Sequence, residues 1–186
     1  LSSTGSNFLG GDDFDEKIVN WLVDQIRIKH SINVGVDKIV RAKLRGVAEE
    51  AKIQLSVETS TQITGVFEFE KSNYTYSEVL TRKQFEDMIL DLVESTIAKT
   101  KEALQAANCS PKDISRLLLV GGSTRIPMVR ELLIKEFNLN PEFYVDPDLS
   151  VSLGATMQAA LASGLYFEDI VVDVSPHTLG VGAFGE

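Results

Sequence analysis

Apolar residues first recur at helical spacing. Phe14, Ile18, Trp21, Leu22 and Ile26 fall on one side of a helix predicted from about Asp12 to Lys29. Gly10 and Gly11 break the polar start ahead of it. Asp12 and Asp13 take its first turn, where the dipole favours anions. Beyond a turn around Gly35, Val40, Leu44, Val47, Ala51 and Leu55 form the stripe of a second helix, about Asp37 to Leu55. The period then shifts to alternation. Thr61–Glu70 and Tyr74–Leu80 read as two strands joined by a Ser-Asn turn. A long helix follows from about Thr81 to Ala107. Thr81 and Gln84 suit a capping box, and Phe85, Met88, Ile89, Leu92, Ile97 and Leu104 make one apolar face. Asn108 and Pro111 end it.

The pattern changes again at Leu117-Leu118-Leu119-Val120, a continuous apolar run expected of a strand buried on both faces. Gly121 and Gly122 follow, then a helix over about Thr124–Phe137. Asp146-Pro147 open another helix, with proline in its first position. Gly154, Ala155, Ala159 and Ala160 would let that helix lie close to a neighbour before it ends near Gly164. Ile170–Val174 reads as a last strand. The order suggests an α/β layer, residues 1–35 and 113–168, interrupted by an inserted α+β subdomain, 36–112.

Composition leaves this picture standing. The 186 residues are 44% apolar and 24% charged, an ordinary globular balance. The net charge of −9 argues against a nucleic-acid partner, since a phosphate backbone calls for a basic face. A local pocket can still take a nucleotide. The lone cysteine, Cys109, fits a reducing compartment. No apolar run is long enough to span a bilayer, and no His/Cys set has zinc-site spacing. The start, Leu1–Asn7, shows no signal-peptide pattern and no initiator methionine, so the chain reads as a piece of something longer.

The strongest chemical signal is Leu117–Pro127, which reads as strand, double-glycine turn and helix start. Glycines let backbone approach a ligand, and free N–H groups at a helix start favour anions. Ser123 is placed to cap that helix, and Arg125 to lie flat on a planar base. The same pattern also suits a plain strand–helix turn. It is neither a Walker loop nor a dinucleotide fingerprint. Glu49, Lys52 and Ser56 line one helix face. Glu and Lys there suit ribose hydroxyls or a phosphate, and Ser a base; taken alone, a solvated Glu–Lys pair explains them more readily. Leu9-Gly10-Gly11-Asp12-Asp13-Phe14-Asp15 lacks the length and spacing of a calcium loop, and its carboxylates fit a helix start equally well, so no metal site is expected there. His30 and His177 have no partner at catalytic spacing.

Taken together, Leu9–Asp15 (LGGDDFD), Ala48–Ser56 (AEEAKIQLS), Leu119–Pro127 (LVGGSTRIP) and Asp146–Ala155 (DPDLSVSLGA) closely resemble the 70-kDa heat-shock chaperone family of the DnaK type. The resemblance runs over essentially the whole chain and corresponds to the second lobe of the family's ATPase domain. It implies an actin-like, ribonuclease H-like ATPase fold with ATP or ADP in a cleft between two lobes. By that resemblance Glu49, Lys52 and Ser56 contact the adenosine, and Gly121, Gly122, Ser123 and Arg125 form the opposite wall. Gly11 and Asp148 lie beside sugar and phosphates.

The resemblance also assigns residues 36–112 to gripping by a nucleotide-exchange factor, and 169–186 to an interdomain linker and the start of a peptide-binding domain. It implies a cytoplasmic, ATP-driven folding chaperone as parent, working with a J-domain co-chaperone on unfolded clients, with no membrane partner. The catalytic lysine and both phosphate loops belong to parts of the family pattern that these residues lack. Hydrolysis, and Mg2+, are therefore expected only with the first lobe. Ile53, Leu149, Ser150, Ser152 and His177 depart from common family residues, and the linker's apolar run is one residue short. Alternatives are a protein-interaction module without meaningful nucleotide binding, or another actin-like ATPase such as a sugar kinase or filament protein.

Overall fold

The computed structural model describes residues 2–143 and 145–165. Two helices open it, α1 (Gly11–His30) and α2 (Lys38–Val57). The backbone N–H of Gly10 donates to the Asp13 carboxylate at 2.7 Å, which ties down the start of α1. Asp37 caps α2, its Oδ1 accepting from the N–H groups of Ile39 and Val40 at 2.8 and 3.0 Å. An antiparallel hairpin follows, β1 (Ser60–Phe69) and β2 (Ser72–Thr81), and leads into α3 (Arg82–Ala106). The predicted capping box is formed, with the Thr81 N–H donating to Gln84 Oε1 at 3.0 Å and the Gln84 N–H to Thr81 Oγ1 at 3.2 Å.

The hairpin turns at Glu70-Lys71, not at the expected Ser72-Asn73. Phe69 pairs with Ser72, so Ser72 and Asn73 already belong to β2. Both turn residues have left-handed backbone, φ 50° and 63°. A two-residue loop needs that conformation at both positions to follow the strands' twist. Neither side chain advertises it, so composition pointed to the wrong pair.

One core joins these elements. Ile18, Leu22 and Ile26 of α1, Val40, Leu44 and Leu55 of α2, Ile63, Phe67 and Leu80 of the hairpin, and Phe85, Ile89 and Val93 of α3 are all buried together. Trp21 and Val47, placed on the apolar stripes by spacing, sit at its edge. A second cluster, Ile97, Leu119, Leu133 and Phe137, ties the far half of α3 to the remaining elements.

Those are β3 (Leu117–Leu118), α4 (Pro127–Phe137), β4 (Pro141–Glu142) and α5 (Ser150–Ala162). β3 pairs in parallel with β4. The run at 117–120 is buried on one side only. Leu119 is inside, whereas Leu118 and Val120 are about half exposed. A strand is enclosed on both faces only where layers cover both, and here α4 covers one.

Helix α5 begins at Ser150, later than expected, because Asp146–Leu149 form a turn. The Asp146 carbonyl accepts from the N–H groups of Leu149 and Ser150. Pro147 therefore lies ahead of the helix, not in its first position. The close neighbour expected for the small residues of α5 is not found among the described residues, where no α5 side chain is buried. No helix among them is long and apolar enough to cross a membrane. The predicted strand at 170–174, the linker at 169–186 and His177 lie outside the described residues.

Candidate functional site

A cleft of about 1120 Å³ opens between α2 and the loops around β3 and β4. Gly11, Glu49, Lys52, Ser56, Gly122, Ser123, Arg125 and Asp148 all line it. Gly121 alone of the predicted set is not on its wall. It acts from behind, with φ 90° and ψ 147°, a backbone conformation essentially closed to residues with a Cβ. Its N–H donates to the Pro147 carbonyl at 3.1 Å, joining the two loops of that wall.

The segment after Gly121 is a short 3₁₀ turn, Gly122–Arg125, and α4 starts only at Pro127. Ser123 is thus not the cap of α4, as sequence spacing suggested. Ile126 holds that position, because proline takes the first helical slot and moves the boundary along the chain. Ser123 instead faces Gly11 across the cleft. A Cβ built on Gly11 would stand 3.1 Å from Ser123 Oγ and 3.2 Å from Lys52 Nζ. One on Gly122 would stand 2.9 Å from Asp148 Oδ1. The two glycines therefore keep the walls close where they meet.

Arg125 is held by two carboxylates. Its Nε and Nη2 donate to Asp148 Oδ2 at 3.2 and 2.9 Å, and Nη2 also donates to Asp146 Oδ1 at 2.7 Å. Asp148, then Asp146, hold the guanidinium protonated even more firmly than usual. Asp146 Oδ1 also accepts from the Asp148 N–H at 3.0 Å, closing the loop on itself. The planar group is fixed in place while remaining about half exposed to the cleft.

Lys52 is neither free nor paired with Glu49. Its Nζ donates to Asp15 Oδ2 at 2.8 Å and to the Gly11 carbonyl at 3.3 Å. Asp15 is almost fully buried, and its Oδ1 has no hydrogen-bond partner among the described residues. Burial pushes its carboxyl above the usual range against the pull of Lys52, with Glu49 and Asp12 adding to the push. Ser56 Oγ donates to the Lys52 carbonyl one turn back at 3.2 Å, leaving its lone pairs for a ligand. Glu49 is exposed on the rim.

Sequence reasoning missed Asp15, which looked like one more acid at a helix start. Its partner is 37 positions away, a separation no local pattern reveals. Of the cleft's apolar part, sequence reasoning singled out only Ile53. Ile53 and Val57 of α2 face it while largely exposed, and Phe143 and Val145 contribute from the other loop. The cleft therefore combines apolar side chains, a fixed guanidinium, an ammonium and close-set glycines. That mixture suits a ligand with a planar apolar part and a polar, hydroxyl- or phosphate-bearing part. Among the described residues no cluster of His, Cys, Asp and Glu could hold a metal ion.

Fold and cleft thus define a mixed α/β polypeptide whose cleft brings together apolar side chains, two cations and close-set glycines. The model of the family described as Hsp70 protein matches residues 1–186. The chain is also 43% identical over 187 aligned positions to the chaperone protein DnaK of Mycoplasma mobile. That match takes in 100% of this chain and 31% of the relative's length. The chain belongs to the Hsp70 family. Membership implies the family's actin-like ATPase fold and its general use of ATP and ADP, and the mixed α/β elements with small sheets are consistent with that fold. A sugar kinase or filament protein is set aside by the same match.

Proposed function

We propose that this chain supplies the adenosine-binding wall of an Hsp70-type ATPase site. The observation that carries the reading is the convergence of two segments distant in sequence. The α2 face with Glu49, Lys52 and Ser56 meets the Gly122–Arg125 turn around one cleft. In this reading the base lies between Ile53 and the Arg125 guanidinium. The ribose faces Glu49, Lys52 and Ser56, and the phosphates lie toward Gly11, Gly122 and Asp148. The bound nucleotide supplies the phosphoryl chemistry. The residues here bind and orient it, and hydrolysis with Mg2+ awaits the other lobe, because phosphoryl transfer rests on charge placed around the phosphates.

The reading extends to the parent protein, an ATP-driven folding chaperone of the cytoplasm acting with a J-domain co-chaperone on unfolded clients. Residues 36–112 form the subdomain engaged by a nucleotide-exchange factor, and 169–186 the coupling linker. These assignments rest on family likeness. The packing supplies no seam at residue 36, since α1 and α2 share one core.

Calorimetry with ADP on the chain tests the site. Wild type gives a saturable heat, and Arg125→Ala weakens binding by about tenfold, the worth of one stacked cation of about 1–2 kcal/mol. Equal affinity in the two proteins refutes the stacked base. A wild-type chain that binds an exchange factor but no ADP supports the interaction-module reading instead.

A further inference from the structure

The buried pair behind the cleft carries a role that the ligand-facing residues do not explain. Asp15 sits on the core side of α1 and is bonded to α2 through Lys52 Nζ at 2.8 Å. The Asp15 side chain is 4% exposed and that of Lys52 13%. One Asp15 oxygen bonds Lys52, and the other is buried without a hydrogen-bond partner among the described residues. An ordinary structural carboxylate in a core satisfies both oxygens, so this one is expensive to keep. A buried acid of this kind needs a reason beyond packing.

The geometry supplies one. A lysine stem has four rotatable carbons and a hydrated head, and left alone it samples many positions. Here the head is pinned from behind by Asp15 and the Gly11 carbonyl at 3.3 Å. Its third proton is left for the cleft that Lys52 lines. Gly11 keeps that edge open, since a Cβ there would crowd the ammonium at 3.2 Å.

We propose that Asp15 is a positioning residue of the adenosine half-site. It fixes the Lys52 ammonium so that its free proton meets the ribose hydroxyls. The proposal rests on the adenosine reading of the cleft. Asp15 does not touch the ligand; it converts a mobile cation into a directed donor, and its unpartnered oxygen is the cost of that placement.

The test compares ADP with 2′,3′-dideoxy-ADP by calorimetry on the chain and on Asp15→Asn. Wild type prefers ADP by about tenfold, the worth of one hydrogen bond to a charged donor. In Asp15→Asn the preference falls to about twofold, while dideoxy-ADP binds as before. A residue that merely held the fold would weaken both ligands together, and an unchanged preference or an equal loss for both overturns the proposal. A wild-type chain that binds both equally also overturns it. If wild type binds neither, the adenosine reading itself has failed, and the two failures are thereby distinguished. Should Asp15→Asn not fold, nitrogen NMR of the wild-type lysine ammonium groups decides. A Lys52 signal protected from exchange and shifted by ADP supports the proposal, and a freely exchanging one refutes it.

Discussion

Replacing Lys52 by methionine removes the only cation bonded to the buried Asp15 carboxylate among the described residues. Methionine fills much of the lysine stem's volume, so the loss is electrostatic more than steric. Two of the influences on Asp15 pull its pKa down, and both come from Lys52; burial, Glu49 and Asp12 push it up. Without the lysine only the upward pushes remain. A buried carboxylate stripped of its partner costs about 3–5 kcal/mol, and it escapes part of that cost by taking up a proton. The sign follows. A carboxyl whose folded pKa is raised binds more protons folded than unfolded, so stability falls as pH rises from its ordinary value through the raised one.

Wild type already has a window of this kind, and Lys52→Met widens it upward. Urea denaturation followed by Trp21 fluorescence should show Lys52→Met losing about 3–5 kcal/mol near about pH 8, and distinctly less near about pH 5. Asp15→Asn, which leaves a lysine able to swing toward the cleft, should lose only about 1–3 kcal/mol. The double variant should be more stable than Lys52→Met alone. A loss for Lys52→Met that is the same at both pH values, or smaller than that of Asp15→Asn, would refute the reasoning.

Three further outcomes follow from the packing. Gly65 lies opposite Tyr76 across the hairpin, and a Cβ there would stand 2.5 Å from the buried phenol's Cζ. Gly65→Ala should therefore cost about 1–3 kcal/mol and change the near-ultraviolet tyrosine signal, despite alanine's better strand entropy. Glu70-Lys71 occupies a left-handed turn without a glycine or asparagine. Exchange for Asn-Gly should raise stability by about 1 kcal/mol in chemical denaturation. Burial, and then the charge of Glu131, push the Glu86 carboxyl above its usual range, against the pull of Arg82, Lys83 and the Met128 N–H. Glu131→Gln should thus stabilise the chain by about 0.2–0.5 kcal/mol near neutral pH. The gain should disappear in thermal melts run in acid, where Glu86 is protonated in either protein.

What could be read from the chain was what is local. The stripes Phe14–Ile26, Val40–Leu55 and Phe85–Ile97 each became a core face, because helical periodicity depends only on neighbours within a turn or two. Thr81 with Gln84 announced its own cap for the same reason. The hairpin was legible in its alternation but not in its turn, since the loop's backbone is imposed by strand register, and the residues that bear it are merely tolerated.

The burial of Leu117–Val120 and the setting of α5 were misjudged from apolarity alone. Whether an apolar residue is covered depends on which layers lie over it, and that is not a property of the run itself. The candidate site divides along the same line. Its cleft-lining residues carry recognisable types at recognisable spacing, so Glu49, Lys52 and Ser56 and the turn from Gly122 to Arg125 could be named in advance. The groups that hold them carry no such mark. Asp15 behind Lys52 and Asp146 beside Arg125 are acids among many in an acidic chain, and only the fold shows that each faces a cation of the cleft. The residues that hold a cleft's side chains are therefore harder to read than those that line it. Their defining property is a long-range pairing, and a pairing exists only once the chain has folded.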